Sequence, residues 1–122
     1  MGNILNFTDL IVWQEGHKLV LCVYLLTKSL PDSEKFGLTS QAQRASVSIT
    51  SNIAEGFGRR GDKEKIQFYY ISHGSLTELH NLLLVMKDTH LITIETYSEA
   101  FQIIENVNKL LLGLIRSIKS QP

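Results

Sequence analysis

Residues 38–56 read LTSQAQRASVSITSNIAEG, and this stretch decides the fold. Within it, Ser46–Thr50 alternates polar and apolar side chains and is rich in β-branched residues, which is the pattern of a half-buried strand. Across the longer window, small or apolar residues recur at steps of three and four, as on one face of a helix. That face comprises Leu38, Ala42, Ala45, Ile49, Ile53 and Gly56. Because the helical pattern fits more positions and no turn signal precedes Gly56, we predict a helix from Thr39 to about Arg60.

Further sequence signals mark the first helix and the end of the second helix. An apolar stripe with the same spacing predicts a first helix from Asp9 to Ser29. Thr8 can accept a hydrogen bond from a first-turn amide, and Pro31 disfavours helical geometry at the residue before it. Several glycines at the end of the second helix can adopt positive φ, which predicts that they close it. They are Gly56, Gly58 and Gly61.

Two more helices follow, each with an apolar stripe of the same period. The third is predicted to begin at a cap formed by Asp62 and to end near Thr89. The fourth is predicted to begin at a cap formed by Thr93, and short turns join all four helices. The sequence therefore predicts an all-α, antiparallel up-down four-helix bundle about 30 Å long, formed by a single domain of residues 1–122.

Charge and cysteine content exclude several classes of protein. Twelve Lys and Arg balance twelve Asp and Glu, so the net charge of zero gives no global attraction to nucleic acid or anionic membranes. Cys22 is the only cysteine, which fits a reducing compartment. Met1–Thr8 lacks the features of a signal peptide, and the longest apolar run, Leu19–Leu26, is far shorter than the roughly 20 residues that cross a membrane. We predict a cytoplasmic protein without a membrane partner.

Several apolar runs extend around whole helices instead of along one face. They are Leu19–Leu26, Leu82–Met86 and Leu110–Ile115. A helix that is apolar on all sides is covered on all sides, whereas four helices shield only their inward faces. Part of this surface is therefore predicted to contact other subunits. The alternative is that tyrosines and the stems of long charged side chains cover it.

A series of short motifs occurs in a fixed order along the chain. The series is Asp9–Gln14, Phe36–Gln41, Arg44–Ile49, Ser51–Gly56, Gly74–Leu76 and Glu78–Leu79. In these motifs, over nearly its whole length, the chain closely resembles the four-helix bundles called 23S rRNA-intervening-sequence proteins. The resemblance implies an up-down bundle that assembles into a homopentameric ring, from genes often found inside insertions in large-subunit ribosomal RNA. More distantly, the chain is similar to the accessory proteins of diversity-generating retroelements, pentamers that work with a reverse transcriptase and RNA.

Two positions depart from the pattern of the intervening-sequence proteins. Gln43 stands where members commonly carry the first arginine of an Arg-Arg-Ala motif. His73 stands where they commonly carry the arginine of an Arg-Gly-Ser motif. Both changes remove a permanent positive charge, which weakens the hypothesis that this chain binds nucleic acid.

The sequence offers no constellation for catalysis or metal binding. Di-iron bundles use a Glu-x-x-His motif, and no glutamate here has a histidine three residues later. His73 and His80 share one helix face, but no glutamate is positioned to join them. Cys22 lacks a neighbouring base, and Ser75 lacks the strained turn of a hydrolase nucleophile. We predict a protein that is not an enzyme, with no cofactor, no metal and no small-molecule substrate.

The second helix carries a group of polar residues at spacings of three, four and eight. The group is Arg44, Asn52, Glu55 and Arg59. These spacings place all four on one broad face, together with the small residues that are predicted to pack inward. They form either a binding or catalytic cluster or a hydrogen-bonded network that fixes helix register or subunit contacts. We favour the structural network.

The turn after the second helix is locally basic. Arg59, Arg60, Lys63 and Lys65 outnumber two acidic residues there. The segment is either a solvated turn or a weak nucleic-acid patch, which a ring of subunits would repeat and so strengthen. We predict a non-enzymatic homo-oligomeric bundle, with RNA association as a hypothesis. The alternative is an adaptor whose ring recruits a partner polypeptide such as a reverse transcriptase.

Overall fold

Four long helices make up most of the structure, a computed structural model that describes residues 3–121. They are α1 (Ile11–Thr27), α2 (Ser40–Phe57), α3 (Asp62–Asp88) and α4 (Ile94–Lys119). A 3₁₀ turn, Phe7–Asp9, precedes α1, and a 3₁₀ turn and a π-helical turn, Asp32–Glu34 and Lys35–Thr39, lead into α2. No strand occurs in the described range. The prediction of an all-α fold with four helices is confirmed.

Residues 38–56 are helical, so the strand alternative is wrong. Ser46, Ile49 and Thr50 are all buried, although a strand would point Ile49 and Thr50 to opposite faces. Ala42 and Ile53 are also buried, at the steps of three and four that the helix predicts. Core packing against this one face therefore overrides the local β-like alternation.

The predicted cap of the first helix is wrong. α1 begins at Ile11, after the extended residue Leu10, and no side chain caps it. Asn6 instead caps the preceding 3₁₀ turn, because its Oδ1 accepts a hydrogen bond from the backbone N–H of Thr8 at 2.9 Å. Asn6 is as good a capping residue as Thr8 and lies earlier, so the chain turns there first.

The third and fourth helices begin in different ways. Asp62 is the first residue of α3 and not its cap, because Gly61 holds the extended position before it. No side chain caps α3, although the Asp62 carboxylate lies at the positive end of the helix dipole. Thr93 caps α4 as predicted, since its Oγ1 accepts a hydrogen bond from the backbone N–H of Thr96 at 3.1 Å.

The helix ends differ from the expectation as well. α1 already ends at Thr27, and α2 ends at Phe57. No glycine within residues 3–121 has a positive φ. The residue that does is His90, in the turn between α3 and α4, with a φ of 63°. α2 needs no such glycine because Lys65 Nζ donates to the carbonyl oxygens of Gly56 and Phe57, at 3.3 and 2.7 Å.

The four helices surround a shared apolar core. α1 packs against α2 and α4, and α3 packs against the same two helices. α2 and α3 come close together at Gly56, where an added Cβ would lie 2.6 Å from Cε1 of the buried Tyr69. One turn of α3 further on, the Ser72 hydroxyl donates to the Ile49 carbonyl oxygen at 2.8 Å. Small side chains therefore set the distance between α2 and α3.

Two of the three apolar runs are largely covered within the chain. Leu82, Leu83 and Met86 of α3 are buried, and so are Leu111 and Ile115 of α4. Of the other residues in these two runs, only Val85 is exposed, at 39%, so little of either run is left for contacts with other subunits. Within the described range, no helix combines the length and the apolarity that crossing a membrane requires.

Candidate functional site

The apolar run of α1 behaves differently and produces an exposed surface. Leu21, Tyr24 and Leu25 are 58%, 43% and 69% exposed, and Phe36 in the turn before α2 is 89% exposed. The three α1 residues lie at steps of three and four on the side of the helix away from the buried Val23. Tyr24 and Phe36 line the same groove, so the turn residue adjoins the helix residues. We call Leu21, Tyr24, Leu25 and Phe36 the apolar surface.

A groove runs along the outer face of α2, next to the apolar surface. Its larger part has a volume of about 1190 Å³ and is bordered by Tyr24, Phe36 and Glu78. A smaller hollow of about 550 Å³ continues from Ser51 toward Gly58 at the end of α2. Both parts are open to solvent, unlike the enclosed pockets that bury a small ligand. The groove is therefore better suited to a macromolecule than to a metabolite.

The four polar residues of α2 do not form one network within the chain. Glu55 and Arg59 pair at 3.1 Å, and their side chains are 59% and 42% exposed. Asn52 Nδ2 donates to the Ser48 carbonyl oxygen at 2.8 Å, while Arg44 is exposed and makes no hydrogen bond within residues 3–121. The expectation that the four residues share an inward-facing side is wrong for Arg44 and Glu55, which lie more than about 100° around the helix from its buried face. A role for these residues in subunit contacts stays a prediction.

Removing the exposed ion pair tests this geometry. Glu55→Ala is expected to change the free energy of unfolding by less than about 1 kcal/mol, because an exposed pair at this spacing contributes little. Arg59→Ala is expected to cost somewhat more, since the guanidinium also lies 4.7 Å from the centroid of the Phe68 ring. Thermal denaturation followed by circular dichroism measures both. A loss of about 3 kcal/mol with Glu55→Ala would instead indicate that assembly buries the pair.

The four bases near the turn between α2 and α3 fall into two kinds. Lys65 is half-buried, caps α2 and lies 5.5 Å from the centroid of the Phe57 ring, so it is a structural residue. Arg59 is engaged by the contacts given above. Arg60 and Lys63 are exposed and form no ion pair in the described part of the chain. The four residues therefore do not present one uniform basic patch.

The two half-buried histidines link α3 to α4. His73 Nε2 lies 2.8 Å from Asn108 Oδ1, and His80 Nε2 lies 2.9 Å from Tyr97 Oη. Between residues 3 and 121, no cluster of three or more His, Cys, Asp or Glu side chains could hold a metal ion. What this arrangement provides is a polar connection between helices.

The cysteine and the candidate serine also have structural surroundings. Burial raises the pKa of the Cys22 thiol, and the negative charge of Glu99 raises it further. The thiol is therefore protonated and a poor nucleophile at neutral pH. Ser75 Oγ lies 2.8 Å from Ser48 Oγ, which joins α3 to α2.

Both positions that depart from the intervening-sequence pattern take part in contacts between helices. Gln43 Nε2 donates to Thr27 Oγ1 at 3.2 Å, which joins α2 to α1. His73 joins α3 to α4 through Asn108. The uncharged side chains at these two positions therefore serve helix packing.

Two surface features escaped the sequence reasoning. Phe36 belongs to the apolar surface, but it lies in a turn where no periodicity marks it. Lys119 Nζ donates to Tyr70 Oη at 2.7 Å, although the two residues are 49 positions apart. Only the packing of α4 beside α3 brings this cation and this aromatic ring together.

These observations define the class of the protein as a four-helix bundle whose distinctive features lie on its surface. The chain belongs to the 23S rRNA-intervening sequence protein family, whose model matches residues 8–113. In structure it is similar to a protein of unknown function from the S23 ribosomal protein family of Bacteroides thetaiotaomicron, with a TM-score of 0.80 and 25% sequence identity. That similarity covers 86% of this chain and 98% of the other. Among curated proteins, none matches the chain. The family resemblance read from the motifs is confirmed.

Proposed function

We propose that this chain is a non-enzymatic, single-domain helical bundle that assembles with copies of itself into a pentameric ring. The observation that carries the proposal is the apolar surface, where four large side chains are exposed, three of them on one face of α1 and Phe36 in the groove that it lines together with Tyr24. Contiguous exposed apolar residues of this size mark interaction sites in proteins.

The energetics favour covering this surface. Fully burying an exposed leucine or phenylalanine side chain contributes about 1.5–3 kcal/mol, so completing the burial of these four partly exposed side chains offers roughly 4–8 kcal/mol. Association of two proteins costs an estimated 4–15 kcal/mol in lost freedom. A single contact of this size is therefore marginal. A closed ring is built from head-to-tail contacts, in which the apolar surface meets a different face of the neighbouring subunit. Each subunit then takes part in two contacts instead of the single contact of an isolated pair.

The proposed subunit is an up-down, antiparallel bundle. Contacts that support this topology pair late residues of one helix with early residues of the next. Thr27 contacts Gln43 between α1 and α2, and His80 contacts Tyr97 between α3 and α4. The contact of Ser72 with the Ile49 carbonyl, deeper in α2 and α3, fits the same arrangement.

The non-enzymatic part of the proposal is supported by the surroundings of the candidate groups. The two half-buried histidines are hydrogen-bonded to neutral side chains of α4. The thiol of Cys22 has a raised pKa, and Ser75 is hydrogen-bonded to another serine. None of these groups is paired with a base as a catalytic nucleophile requires.

Chemical cross-linking tests self-assembly. The purified protein, at micromolar concentration, is treated with an amine-reactive cross-linker and separated on a denaturing gel. We expect a ladder of bands that ends at five chains, because covalent links join neighbours around a closed ring. A single band at 13.8 kDa, with no ladder at any reagent concentration, would contradict the proposal.

RNA association through the turn between α2 and α3 is a second candidate function. It is favoured by Arg60 and Lys63, which are exposed and form no ion pair in the described residues. A ring would repeat these two cations on every subunit, so weak phosphate contacts would add. The test is to purify the protein from its native host and to sequence co-purified RNA while identifying co-purified proteins. A specific protein without RNA would favour the adaptor alternative.

A further inference from the structure

We propose that the surface where the start of α3 meets the end of α4 binds single-stranded nucleic acid, through residues that we call the basic strip. Its members are Lys63, Tyr70, Lys109, Arg116 and Lys119. The inference rests on the RNA association proposed above. It places the main contacts with RNA on a face formed by α3 and α4, and not on the turn between α2 and α3. Self-assembly does not depend on it.

Lys119 and Tyr70 form the centre of the strip. Lys119 Nζ donates to Tyr70 Oη at 2.7 Å and lies 5.1 Å from the centroid of the Tyr70 ring. Both residues are exposed, and 46% of Tyr70 is accessible. This contact holds a cation against an accessible aromatic ring and places the last turn of α4 beside the first third of α3.

Helical spacing aligns the other cations with this centre. Lys63 lies seven residues before Tyr70, which places both on the same side of α3. On α4, Lys109 lies seven residues before Arg116, and Lys119 follows three residues after Arg116. Seven residues of helix span about 10 Å. Cations therefore follow the C-terminal part of α4 toward the exposed ring, and one more lies on α3.

The cations of the strip are not neutralised within the chain. Lys63, Lys109, Arg116 and Lys119 are all exposed, and none belongs to an ion pair in residues 3–121. No carboxylate lies between Lys109 and Lys119 on α4. The bordering carboxylates are Asp62 and Glu64 beside Lys63 and Glu105 one turn before Lys109. The strip is thus locally positive although the whole chain has a net charge of zero.

This combination of groups fits a single strand better than a duplex. Lysine and arginine contact phosphates, whose neutralisation releases counterions and supplies sequence-independent affinity. An accessible aromatic ring stacks against unpaired bases, which a duplex keeps inside. Tyr70 supplies such a ring among four cations, and the one that contacts it, Lys119, is not paired with a carboxylate. Near the turn, Arg59 is paired with the Glu55 carboxylate and Lys65 donates to the backbone carbonyls at the end of α2.

Fluorescence anisotropy with a labelled oligouridine tests the strip. Lys109→Gln/Arg116→Gln/Lys119→Gln is expected to weaken binding about a hundredfold near 50 mM salt and to reduce the slope of log affinity against log salt by about 2. Tyr70→Leu is expected to weaken binding about tenfold and to leave the slope unchanged, because it removes stacking and no charge. Tyr70→Phe keeps the ring and is expected to retain most of the affinity.

Lys28→Gln/Lys35→Gln/Arg44→Gln is the matched control, because it also removes two lysine charges and one arginine charge that are exposed and belong to no ion pair in residues 3–121, but outside the strip. If this control loses as much affinity as the strip variant, the oligouridine is attracted by exposed cations in general, and the proposal that the basic strip binds it is wrong. The strip is also overturned if Arg59→Gln/Arg60→Gln abolishes binding while the strip variant binds normally, a result that supports the turn instead. If the native protein binds no oligouridine near 50 mM salt, both nucleic-acid proposals fail, while self-assembly is judged by mass alone.

Discussion

Leu21→Arg/Leu25→Arg is expected to convert the assembled protein into a folded monomer. In the isolated chain both side chains are more than half exposed, so arginine at these positions is solvated and helicity is retained. In an assembly that covers the apolar surface, each arginine would be buried without a partner, which costs several kcal/mol per charge. That cost exceeds what the remaining apolar residues supply. Sedimentation velocity measures the change in mass, and circular dichroism measures helicity.

A matched control separates the position of the arginines from their charge. Thr77→Arg/Asn81→Arg also adds two arginines four residues apart on an exposed helix face, but on α3. We expect this control to stay assembled. The account of the interface is wrong if the α1 variant keeps the mass of the native protein, or if it loses its helicity together with its assembly.

Gly56→Ala is expected to destabilise the protein by about 1–3 kcal/mol, the usual cost of forcing extra volume into a packed core. The added Cβ would lie 2.6 Å from Cε1 of Tyr69 and 3.1 Å from Cβ of Phe68. Tyr69 is buried, so its ring has no free space into which to move. The melting temperature should fall by several degrees.

Gly74→Ala provides the control within α3. A Cβ at Gly74 meets no atom within 4 Å, and the residue lies in the interior of the helix. The substitution is expected to stabilise the protein by about 0.5–1 kcal/mol, because alanine loses less conformational freedom than glycine. If both variants change the free energy of unfolding equally, the effect at Gly56 comes from helix propensity alone. The added Cβ would then fit between α2 and α3 without a penalty.

The fold could be predicted from the sequence because the buried residues of each helix recur at steps of three and four positions. Ala42, Ile49 and Ile53 mark the buried face of α2 without any knowledge of its neighbours. The helix ends are harder to predict from the sequence, since several residues near each end have side chains that can cap a helix. Asn6 and Thr8 both have such chemistry, and the structure shows that Asn6 is the residue that caps the turn.

The polar residues of α2 show a different kind of error. Spacings of three, four and eight place residues on a common face of a helix, but they do not say whether that face is buried. The position of Ile49 already implies that Arg44 and Glu55 lie away from the core, because each residue advances about 100° around the helix. The outward position of both residues was therefore predictable from the sequence.

Other features of the surface depend on how helices pack and have no local signal. Lys65 caps α2 only because the first turn of α3 lies beside the end of α2. Lys119 reaches Tyr70 across 49 positions of sequence. The apolar run of α1 leaves three large side chains exposed, whereas the similar runs of α3 and α4 are mostly covered by neighbouring helices. Hydrophobicity alone does not show whether an apolar residue beside the inward face of a helix is covered by a neighbouring helix or left exposed.

The mass of the native protein in solution tests the central claim most directly. Static light scattering on the purified protein at micromolar concentration should give about five times the chain mass of 13.8 kDa, because the apolar surface of each subunit is covered by a neighbour in a closed ring. A helical protein that scatters as a single chain of 13.8 kDa at this concentration would contradict self-assembly and the role given to the apolar surface.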